Sequence, residues 1–317
     1  MILISSARVA FAGTPEFAVP SLDALIGAGA VVSCVLTQPD RRAGRGRELR
    51  ESPVKRLAAR HRIRVRQPEA LDDEWRASLH EERPDLLVVV AYGLILPEWM
   101  LEWPAVAAIN VHASLLPRWR GAAPIQHAIL AGDETTGVSI MRMTRGLDRG
   151  PVYRQTVTSI GPAETGGDLD DRLAAQGAAL LLDVLPGILS GALEPEPQDE
   201  ARACYAPKIA KRDAAIDWTR AAAEIERLIR AYNPWPVAET QTADGRRLRV
   251  WAAEAVDSDP AAPPGTVVDV GRGAIDVATG AGLLRLTTVQ TPGGRATQAP
   301  AFLAAHDLRG ARFVGPG

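Results

Sequence analysis

The uninterrupted apolar run Leu86–Ala91 most constrains what this chain can fold into, and Ala108–His112 is a second short strand of this kind. A strand that is apolar on both faces must be covered on both faces, as in a parallel sheet between helices. Further strand-like segments lie at Arg8–Ala12, Val31–Thr37 and Gly137–Met143. Helical patterns fill the gaps at Phe17–Ala28, Pro53–His61, Asp72–Glu82, Ile125–Gly132 and Leu169–Leu189. This alternation predicts an α/β, Rossmann-like open sheet that is mainly parallel, with right-handed crossovers.

The pattern changes after about residue 190. Gly191–Pro207 is rich in proline and acidic residues and is interpreted as a connector, and a helix is expected near Ala221–Tyr232. Short strands follow at Arg247–Ala253, Thr266–Val270, Ala274–Ala278 and Leu283–Val289, and the turn-like TGAG at 279–282 predicts a hairpin. We therefore expect an α/β domain over 1–190, a linker over 191–207 and a small β-barrel domain over 208–317.

The segment Ala108–Pro124, AINVHASLLPRWRGAAP, is the strongest indication of a site. Residues two apart on a strand share a face, so Asn110 and His112 project together at a strand end that breaks into a loop marked by proline and glycine. Open α/β sheets build their sites at such strand ends. An alternative is structural: Asn110 as a turn former, His112 as a satisfied core histidine, and Asp148 in GLDRG as a turn residue.

Several other classes of protein are disfavoured. FAGTPEF has one glycine where a dinucleotide fingerprint needs three, and GRGREL at 44–49 resembles that fingerprint only superficially. There is no G-x-S-x-G elbow, and HEERP at 80–84 lacks the second histidine of a zincin helix. Two cysteines give no disulfide framework. No apolar run approaches the roughly 18 residues of a membrane span, so we expect a cytoplasmic chain with no membrane partner.

Charge is distributed unevenly along a chain whose net charge is −2. From Arg41 to Arg66 there are eleven Lys or Arg against Glu48 and Glu51, a local balance of +9. A basic block is often only a solvated face. Glycine spacing in its first part favours a mobile loop, and loop arginines suit phosphate contacts with nucleic acid. The residues expected to make them are Arg41, Arg42, Arg45 and Arg47.

The block NVHASLLPRWRGAAPIQ resembles the signature of the folate-dependent formyltransferase family. The similarity extends over nearly the whole chain, through FAGTPEFAVPSLDAL, TQPDRRAGRGREL, SPVK, VVVAYGLILP, GLDRG and NPWP. The TQPD-to-SPVK region and NPWP narrow it to the tRNA-acting branch. The resemblance implies formyl transfer from 10-formyltetrahydrofolate, as co-substrate, to the α-amino group of methionyl initiator tRNA. It also implies an OB-like C-terminal barrel, a monomeric enzyme, and chemistry that requires no metal.

The resemblance also assigns residues to roles. It makes Asn110, His112 and Asp148 the catalytic trio, which suits an acyl transfer that needs a donor for the developing oxyanion and a proton acceptor for the amine. It places folate against Ser114, Leu115, Leu116 and Pro117, with Leu94, Ile95 and Leu96 lining the pterin pocket. Arg118 and Arg120 are either surface charges or contacts for an anionic substrate.

Two alternative functions stay open at this point. A formyltransferase acting on a nucleotide-sugar amine or on glycinamide ribonucleotide would share Asn110, His112 and Asp148, although the basic block and the barrel favour tRNA. A non-catalytic nucleic-acid-binding protein could have kept the fold, but the intact trio counts against it.

Overall fold

A computed structural model describes residues 4–43, 48–258, 261–271 and 273–315. The chain forms two compact units. The first comprises residues up to Pro124 together with Thr135–Ser159 and Asp170–Ala206. The second comprises Ile125–Glu134, Ile160–Leu169 and the chain from Pro207 onward. The domain boundaries at 190 and 208 stay predictions, which limited proteolysis would test.

The first unit is built on a seven-stranded sheet. Its strands are β1 (Arg8–Gly13), β2 (Val31–Leu36), β5 (Val65–Arg66), β6 (Leu86–Val90), β7 (Ala107–His112), β9 (Thr135–Arg142) and β10 (Val152–Ser159), in the order β10-β9-β7-β6-β1-β2-β5. The five strands from β5 to β7 in this order pair in parallel, as predicted. All residues of β6 and β7 are buried, because helices cover both faces of a parallel sheet.

Two small pairs of strands complete the first unit. β3 (Arg41–Ala43) pairs antiparallel with β4 (Glu48–Arg50), and β8 (Arg120–Gly121) pairs in parallel with β11 (Tyr205–Ala206). Both pairs fall where the sequence predicted a loop or a connector.

The far edge of the sheet differs from the prediction. The segment predicted as a further parallel strand is β9, which runs antiparallel to β7, and β10, which was not predicted, runs antiparallel to β9. Residues 113–134 connect β7 to β9. Because β9 is antiparallel to β7, this connection is not the crossover that joins parallel strands.

In the described part of the chain, six helices follow the predicted pattern with shifted ends, and two short ones, Glu98–Leu101 and Ala299–Leu303, were not predicted. They are α1 (Val19–Gly27), α2 (Pro53–Arg60), α3 (Asp73–Leu79), α4 (Glu98–Leu101), α5 (Pro124–Ala131), α6 (Gly166–Ser190), α7 (Ala222–Ala231) and α8 (Ala299–Leu303). The SPVK motif begins α2: the Ser52 hydroxyl accepts from the Lys55 N–H at 3.0 Å, and Pro53 occupies the first turn, where its missing N–H costs nothing. Asp72 caps α3 in the same way, through Trp75 N–H.

Helix α6 corrects the expectation that no segment approaches a membrane span. By length and composition alone, its 25 residues could cross a membrane, since the mean hydropathy over an 18-residue window is 1.6. Half of that window, however, is buried inside the protein. Gln176 and Asp183 interrupt the apolar run, but the mean hydropathy of the window stays at 1.6. Gly177 lies so close to Val111 of β7 and Val138 of β9 that a Cβ would lie 2.8 Å and 3.4 Å from their side chains. The helix therefore packs against the sheet as part of the core.

The second unit contains an antiparallel barrel. Its strands are β12 (Ala238–Thr242), β13 (Arg247–Val256), β14 (Val267–Asp269), β15 (Ile275–Ala278), β16 (Leu283–Gln290), β17 (Thr297–Gln298) and β18 (Phe313–Val314). They form a sheet in the order β14-β15-β16-β13-β12-β18, with β17 on β16. A bridge from Thr266 to Arg312 joins the two end strands, so the barrel is nearly closed. The TGAG hairpin between β15 and β16 is confirmed, whereas β12, β17 and β18 were missed.

Candidate active site

The carboxyl end of β7 presents Asn110 and His112 on one face, as the two-residue period of a strand requires. Both side chains are buried, with 9% and 6% of their surfaces exposed. His112 Nε2 lies 2.9 Å from the carbonyl oxygen of Trp119, whose φ of 62° turns the chain back toward the strand end. A carbonyl can only accept, so Nε2 donates and Nδ1 is the ring nitrogen that faces the rest of the site.

Asp148 completes the cluster from the loop after β9. Its Oδ2 lies 3.7 Å from His112 Nδ1, and its Oδ1 accepts from Asn110 Nδ2 at 3.4 Å. Oδ2 also accepts from the backbone N–H of Gly121 at 2.9 Å. The backbone of Asp148 is left-handed, with φ of 51°. The structure therefore brings the three predicted catalytic residues together within one network.

Gly121 is placed by the short parallel pair β8–β11. Its φ is 119°, and a Cβ at this position would lie 2.6 Å from the carbonyl oxygen of Ala206. Glycine alone lets β8 approach β11 this closely while its N–H points to the Asp148 carboxylate. The glycine of RWRG is thus explained by both its neighbours and its backbone angle.

The SLLP segment is held from inside the sheet. Ser114 is fully buried, and its hydroxyl donates to the Arg118 carbonyl at 2.6 Å. The Ser139 hydroxyl of β9 donates to the Ser114 carbonyl at 2.6 Å and accepts from Leu116 N–H at 3.1 Å. Gln155 of β10 donates to the Leu116 carbonyl at 2.9 Å. This network fixes the loop backbone immediately beyond His112.

The side chains of SLLP differ in their exposure. Leu116 is buried and precedes a cis peptide bond to Pro117, which is half-buried. Leu115 is half-buried and lies against Gly137, where a Cβ would be 2.7 Å from Leu115 Cδ2. The predicted folate segment therefore offers its backbone and the half-buried Leu115 and Pro117, rather than the side chains of Ser114 and Leu116.

The predicted pterin segment follows β6, the strand beside β7. Leu94 is half-buried, Ile95 is 94% exposed and Leu96 is buried. Strand order reverses between β1 and β6, and open sheets bind ligands in the crevice at such a point. Thr14, just after β1, donates from its hydroxyl to the Tyr92 carbonyl at 2.9 Å and so ties the two sides of that crevice together. Leu94–Leu96 and SLLP thus leave neighbouring strands at the same edge of the sheet.

Arg120 is not the surface charge or substrate contact that the sequence suggested. Its side chain is fully buried, and its guanidinium binds Glu200 through Nη1 at 2.9 Å and Nη2 at 2.8 Å. The hydrogen bond with Glu200 raises the pKa of Arg120, and Arg120 in turn lowers the pKa of the Glu200 carboxyl. Arg118, by contrast, is exposed and lies over the Trp119 ring, 4.3 Å from its centre. The two arginines of RWRG therefore have different roles.

Sequence analysis missed Gln198 and Glu200 because they lie in the segment interpreted as a connector. The Gln198 amide donates to the carbonyls of Asp148 at 2.9 Å and Gly150 at 2.7 Å. Cys204 accepts the Trp119 N–H on its sulfur at 3.2 Å. The segment therefore holds both loops of the site. Nothing local in its sequence could have shown this, since the partners of Gln198 lie 48 to 78 residues away in the chain.

Several basic side chains of this block form ion pairs. Lys55 binds Asp40 at 2.6 Å and Glu51 at 3.2 Å, and Arg56 binds Glu16 at 2.9 Å. Glu82 pairs with Arg66 at 3.8 Å and also with Arg64. These contacts pair four of the eleven basic residues with carboxylates, most of which lie outside the block.

The predicted tRNA contacts lie at the start of this block. Arg41 is exposed and donates to the side chain of Gln38 at 2.9 Å. Arg42 pairs with Leu49 in the β3–β4 hairpin, so the predicted loop has paired strands at its two ends. Arg45 and Arg47 lie outside the described residues.

The arrangement offers one kind of chemistry above others. An amide donor, an imidazole and a carboxylate converge at a strand end, and together they can bind a developing oxyanion and move a proton. Among the described residues, no group of three or more His, Cys, Asp and Glu side chains is placed to hold a metal ion.

Comparison with known proteins identifies the relatives of this chain. The Formyl transferase profile matches residues 7–185, and the Formyl transferase, C-terminal domain profile matches 208–307. A methionyl-tRNA formyltransferase of Methylococcus capsulatus is 52% identical over 96% of this chain and 99% of its own length. Another, from Coxiella burnetii, is 49% identical over 95% of this chain and 96% of its own.

Solved structures share the fold at low identity. An N-formyltransferase from Helicobacter canadensis, in complex with folinic acid and dTDP-3-aminofucose, superposes with a TM-score of 0.65 at 17% identity, over 88% of this chain and 98% of that one. HypX from Aquifex aeolicus, in complex with tetrahydrofolic acid, superposes with a TM-score of 0.58 at 17% identity, over 84% of this chain and 46% of that one. The two matching domains and the close relatives lead to one conclusion: this chain belongs to the formyl transferase family, within its methionyl-tRNA formyltransferase group.

Proposed function

We propose that this chain transfers the formyl group of 10-formyltetrahydrofolate to the α-amino group of methionyl initiator tRNA, which supports translation initiation. The observation that carries the proposal is the convergence of Asn110, His112 and Asp148 at the end of β7, in a chain about half identical to methionyl-tRNA formyltransferases. The folate compound is a substrate here, since it is consumed in each turnover.

The reaction is a direct transfer between two nitrogen atoms. The amine nitrogen attacks the formyl carbon, a new C–N bond forms, and the carbonyl oxygen becomes negative in a tetrahedral centre. The bond to the folate nitrogen then breaks, and that nitrogen takes up a proton as tetrahydrofolate leaves. The site must therefore stabilise an oxyanion and carry one proton from the attacking nitrogen to the leaving one.

Each member of the trio has a role that fits its contacts. Asn110 Nδ2 carries two N–H groups, one directed at Asp148 and the other able to donate to the oxyanion. His112 is oriented by the Trp119 carbonyl, so Nδ1 is the nitrogen that exchanges a proton. Asp148 faces Nδ1 and can hold the proton together with it. We assign catalysis to these three residues on that basis.

Substrate contacts are proposed on either side of the trio. The backbone of Ser114–Pro117, with Leu115 and Pro117, and the segment Leu94–Leu96 would hold the folate. An apolar pocket with a few fixed backbone groups suits a flat heteroaromatic ring. Arg41, Arg42, Arg45 and Arg47 would contact phosphates of the tRNA.

The deciding experiment mixes the purified protein with 10-formyltetrahydrofolate and methionyl initiator tRNA. We expect formylmethionyl-tRNA, with uncharged tRNA and an aminosugar nucleotide as matched controls that remain unformylated. If the aminosugar nucleotide alone were formylated, it, and not methionyl-tRNA, would be the substrate. Absence of any formyl transfer would contradict the enzymatic proposal altogether.

We further propose that the chain acts as a cytoplasmic monomer without a membrane partner. The half-buried packing of α6 against β7 and β9 supports this, because a helix packed in the core is not available to lipid. Light scattering after size-exclusion chromatography should give a mass close to 33.8 kDa, and cell fractionation should leave the protein out of the membrane pellet.

A further inference from the structure

Gln198 connects two loops of the site through one side-chain amide. Its Oε1 accepts from Arg120 Nε at 3.0 Å and Nη2 at 2.8 Å, and its Nε2 donates to the carbonyls of Asp148 and Gly150 at 2.9 Å and 2.7 Å. A guanidinium can only donate and a backbone carbonyl can only accept, so the amide has one possible orientation. All four of its hydrogen-bonding positions are used.

The Asp148 end of this contact supports an unfavourable backbone conformation. A φ of 51° costs a non-glycine residue about 1 kcal/mol or more, so its surroundings must hold it. The same conformation directs the carbonyls of Asp148 and Gly150 toward a single NH₂ group. Without Gln198, both carbonyls lose that donor, and this loop loses the hydrogen bonds that hold its left-handed turn in place.

At the other end of the contact, the Arg120 guanidinium has a second partner besides Gln198. Glu200 binds Nη1 and Nη2 of the same guanidinium, so the buried charge keeps a carboxylate partner when Gln198 is removed. Glu200 also lies 3.9 Å from the guanidinium of Arg149, but among the described residues the side-chain donor to the carbonyls of Asp148 and Gly150 is Gln198. The two ends of Gln198 can therefore be separated by mutation.

We propose that Gln198 is a positioning residue for Asp148. By fixing the backbone on both sides of Arg149, it holds the Asp148 carboxylate at the Gly121 N–H and opposite His112 Nδ1. This inference rests on the catalytic role proposed for Asp148. Gln198 acts on the rate of transfer and not on substrate binding, because its hydrogen bonds within the described part of the chain go to the loop backbone and to Arg120.

Two variants of Gln198 and one control test the proposal. Gln198→Ala removes both ends of the contact. Gln198→Glu keeps the acceptor for Arg120 but replaces the donor with an oxygen that repels the two carbonyls. Both should lower kcat by about tenfold or more, since small misplacements of a catalytic group are costly, with KM for both substrates within about twofold of wild type. Asp199→Asn changes the neighbouring, exposed residue and keeps the acceptor for the Ala201 N–H, so it should retain wild-type kcat.

A double variant separates positioning from general damage. If Gln198 acts through Asp148, adding Gln198→Ala to Asp148→Asn should lower kcat no further. A multiplicative loss in the double variant would overturn the proposal, as would wild-type kcat in both single Gln198 variants. Circular dichroism and Tm for every variant identify any that fail to fold, and Gln198→Glu then serves in place of Gln198→Ala. Failure of wild-type enzyme to formylate, or full activity of Asp148→Asn, would instead contradict the proposed function.

Discussion

The loop that carries Asp148 and the hairpin that carries Arg41 and Arg42 are held in contrasting ways. The Asp148 loop is tied to β7, to β8 and to residue 198 by contacts that span 27 to 50 residues of sequence. The hairpin is tied within itself by the β3–β4 ladder, and Arg41 contacts Gln38, three residues away. One region is fixed by the rest of its unit, and the other mainly by its neighbours in sequence.

The difference reflects what each region would have to do. A group that meets a transition state gains most when its position is already set, because no reorganisation is then needed during the reaction. A cation that meets a phosphate needs only proximity, since its attraction is long-ranged and weakly directional. We therefore expect changes near Asp148 to act on kcat and changes in the hairpin to act on KM for tRNA.

The largest effect is expected from the catalytic trio. Asn110→Ala, His112→Ala and Asp148→Asn should each lower kcat by about 10²-fold or more, since each removes an oxyanion donor or a proton carrier. Folate affinity, measured by equilibrium binding, should change much less. A near-wild-type kcat for any of the three would remove that residue from the mechanism.

A smaller but still large effect is expected at Gly121. A Cβ there meets the Ala206 carbonyl at 2.6 Å, so Gly121→Ala must shift β8 and withdraw its N–H from Asp148. We expect a kcat loss of about tenfold and a stability loss of about 2–3 kcal/mol, from steric strain and unfavourable φ together. Gly191→Ala is the matched control: its φ is also positive, at 70°, but nothing lies within 4 Å of the new Cβ. Urea unfolding should show a loss of about 1 kcal/mol in the control, with unchanged kcat.

The hairpin should give a moderate effect of a different kind. Arg41→Ala with Arg42→Ala should raise KM for tRNA and flatten its dependence on salt by about one unit of slope for each lost phosphate contact. Arg60→Ala with Arg62→Ala removes two exposed charges from the same basic block and should leave the slope at the wild-type value. Equal effects from the two pairs would assign recognition to the whole block, and no effect from either would leave it a solvated face.

The smallest effect is expected at the foot of the hairpin, where Asp40 binds Lys55 and Gln67. The hydrogen bond from Lys55 lowers the pKa of the Asp40 carboxyl below its ordinary value of 3.8. The stability it contributes is therefore present above about pH 4 and is lost as pH falls through the lowered pKa. Asp40→Asn should cost less than about 1 kcal/mol at pH 7, and the difference should shrink at pH 3. A difference that grew toward low pH would contradict this assignment; kcat should not change.

Sequence periodicity predicted most of the fold and the position of two of the proposed catalytic residues. The apolar runs at β1, β2, β6 and β7 are confirmed as parallel strands, and the period of two put Asn110 and His112 on one face. Asp148 came from the family motif, because a loop residue 38 positions from Asn110 has no local pattern that places it there. The same limit hid Gln198.

The failures have physical causes of their own. Arg120 carries a charge and was expected to be a surface charge or a contact for an anionic substrate, but bidentate pairing with Glu200 permits its burial. The β3–β4 hairpin was missed because its strands contain alanine and glutamate, which are depleted in strands. Strand β10 alternates between buried and exposed residues only in part, so its pattern did not stand out from a loop.

The segment that carries Gln198 and Ala206 has a consequence for the order in which the active site is assembled during synthesis. Asn110, His112 and Asp148 leave the ribosome well before some of the residues that hold them, since Gln198 follows Asp148 by 50 positions. At about 5–20 residues per second, that interval is roughly 3–10 seconds. A nascent chain that ends near residue 190 thus contains the proposed catalytic trio together with Trp119 and Gly121, but without Gln198 and Ala206. We therefore expect the active site to be completed only after residue 206 has emerged.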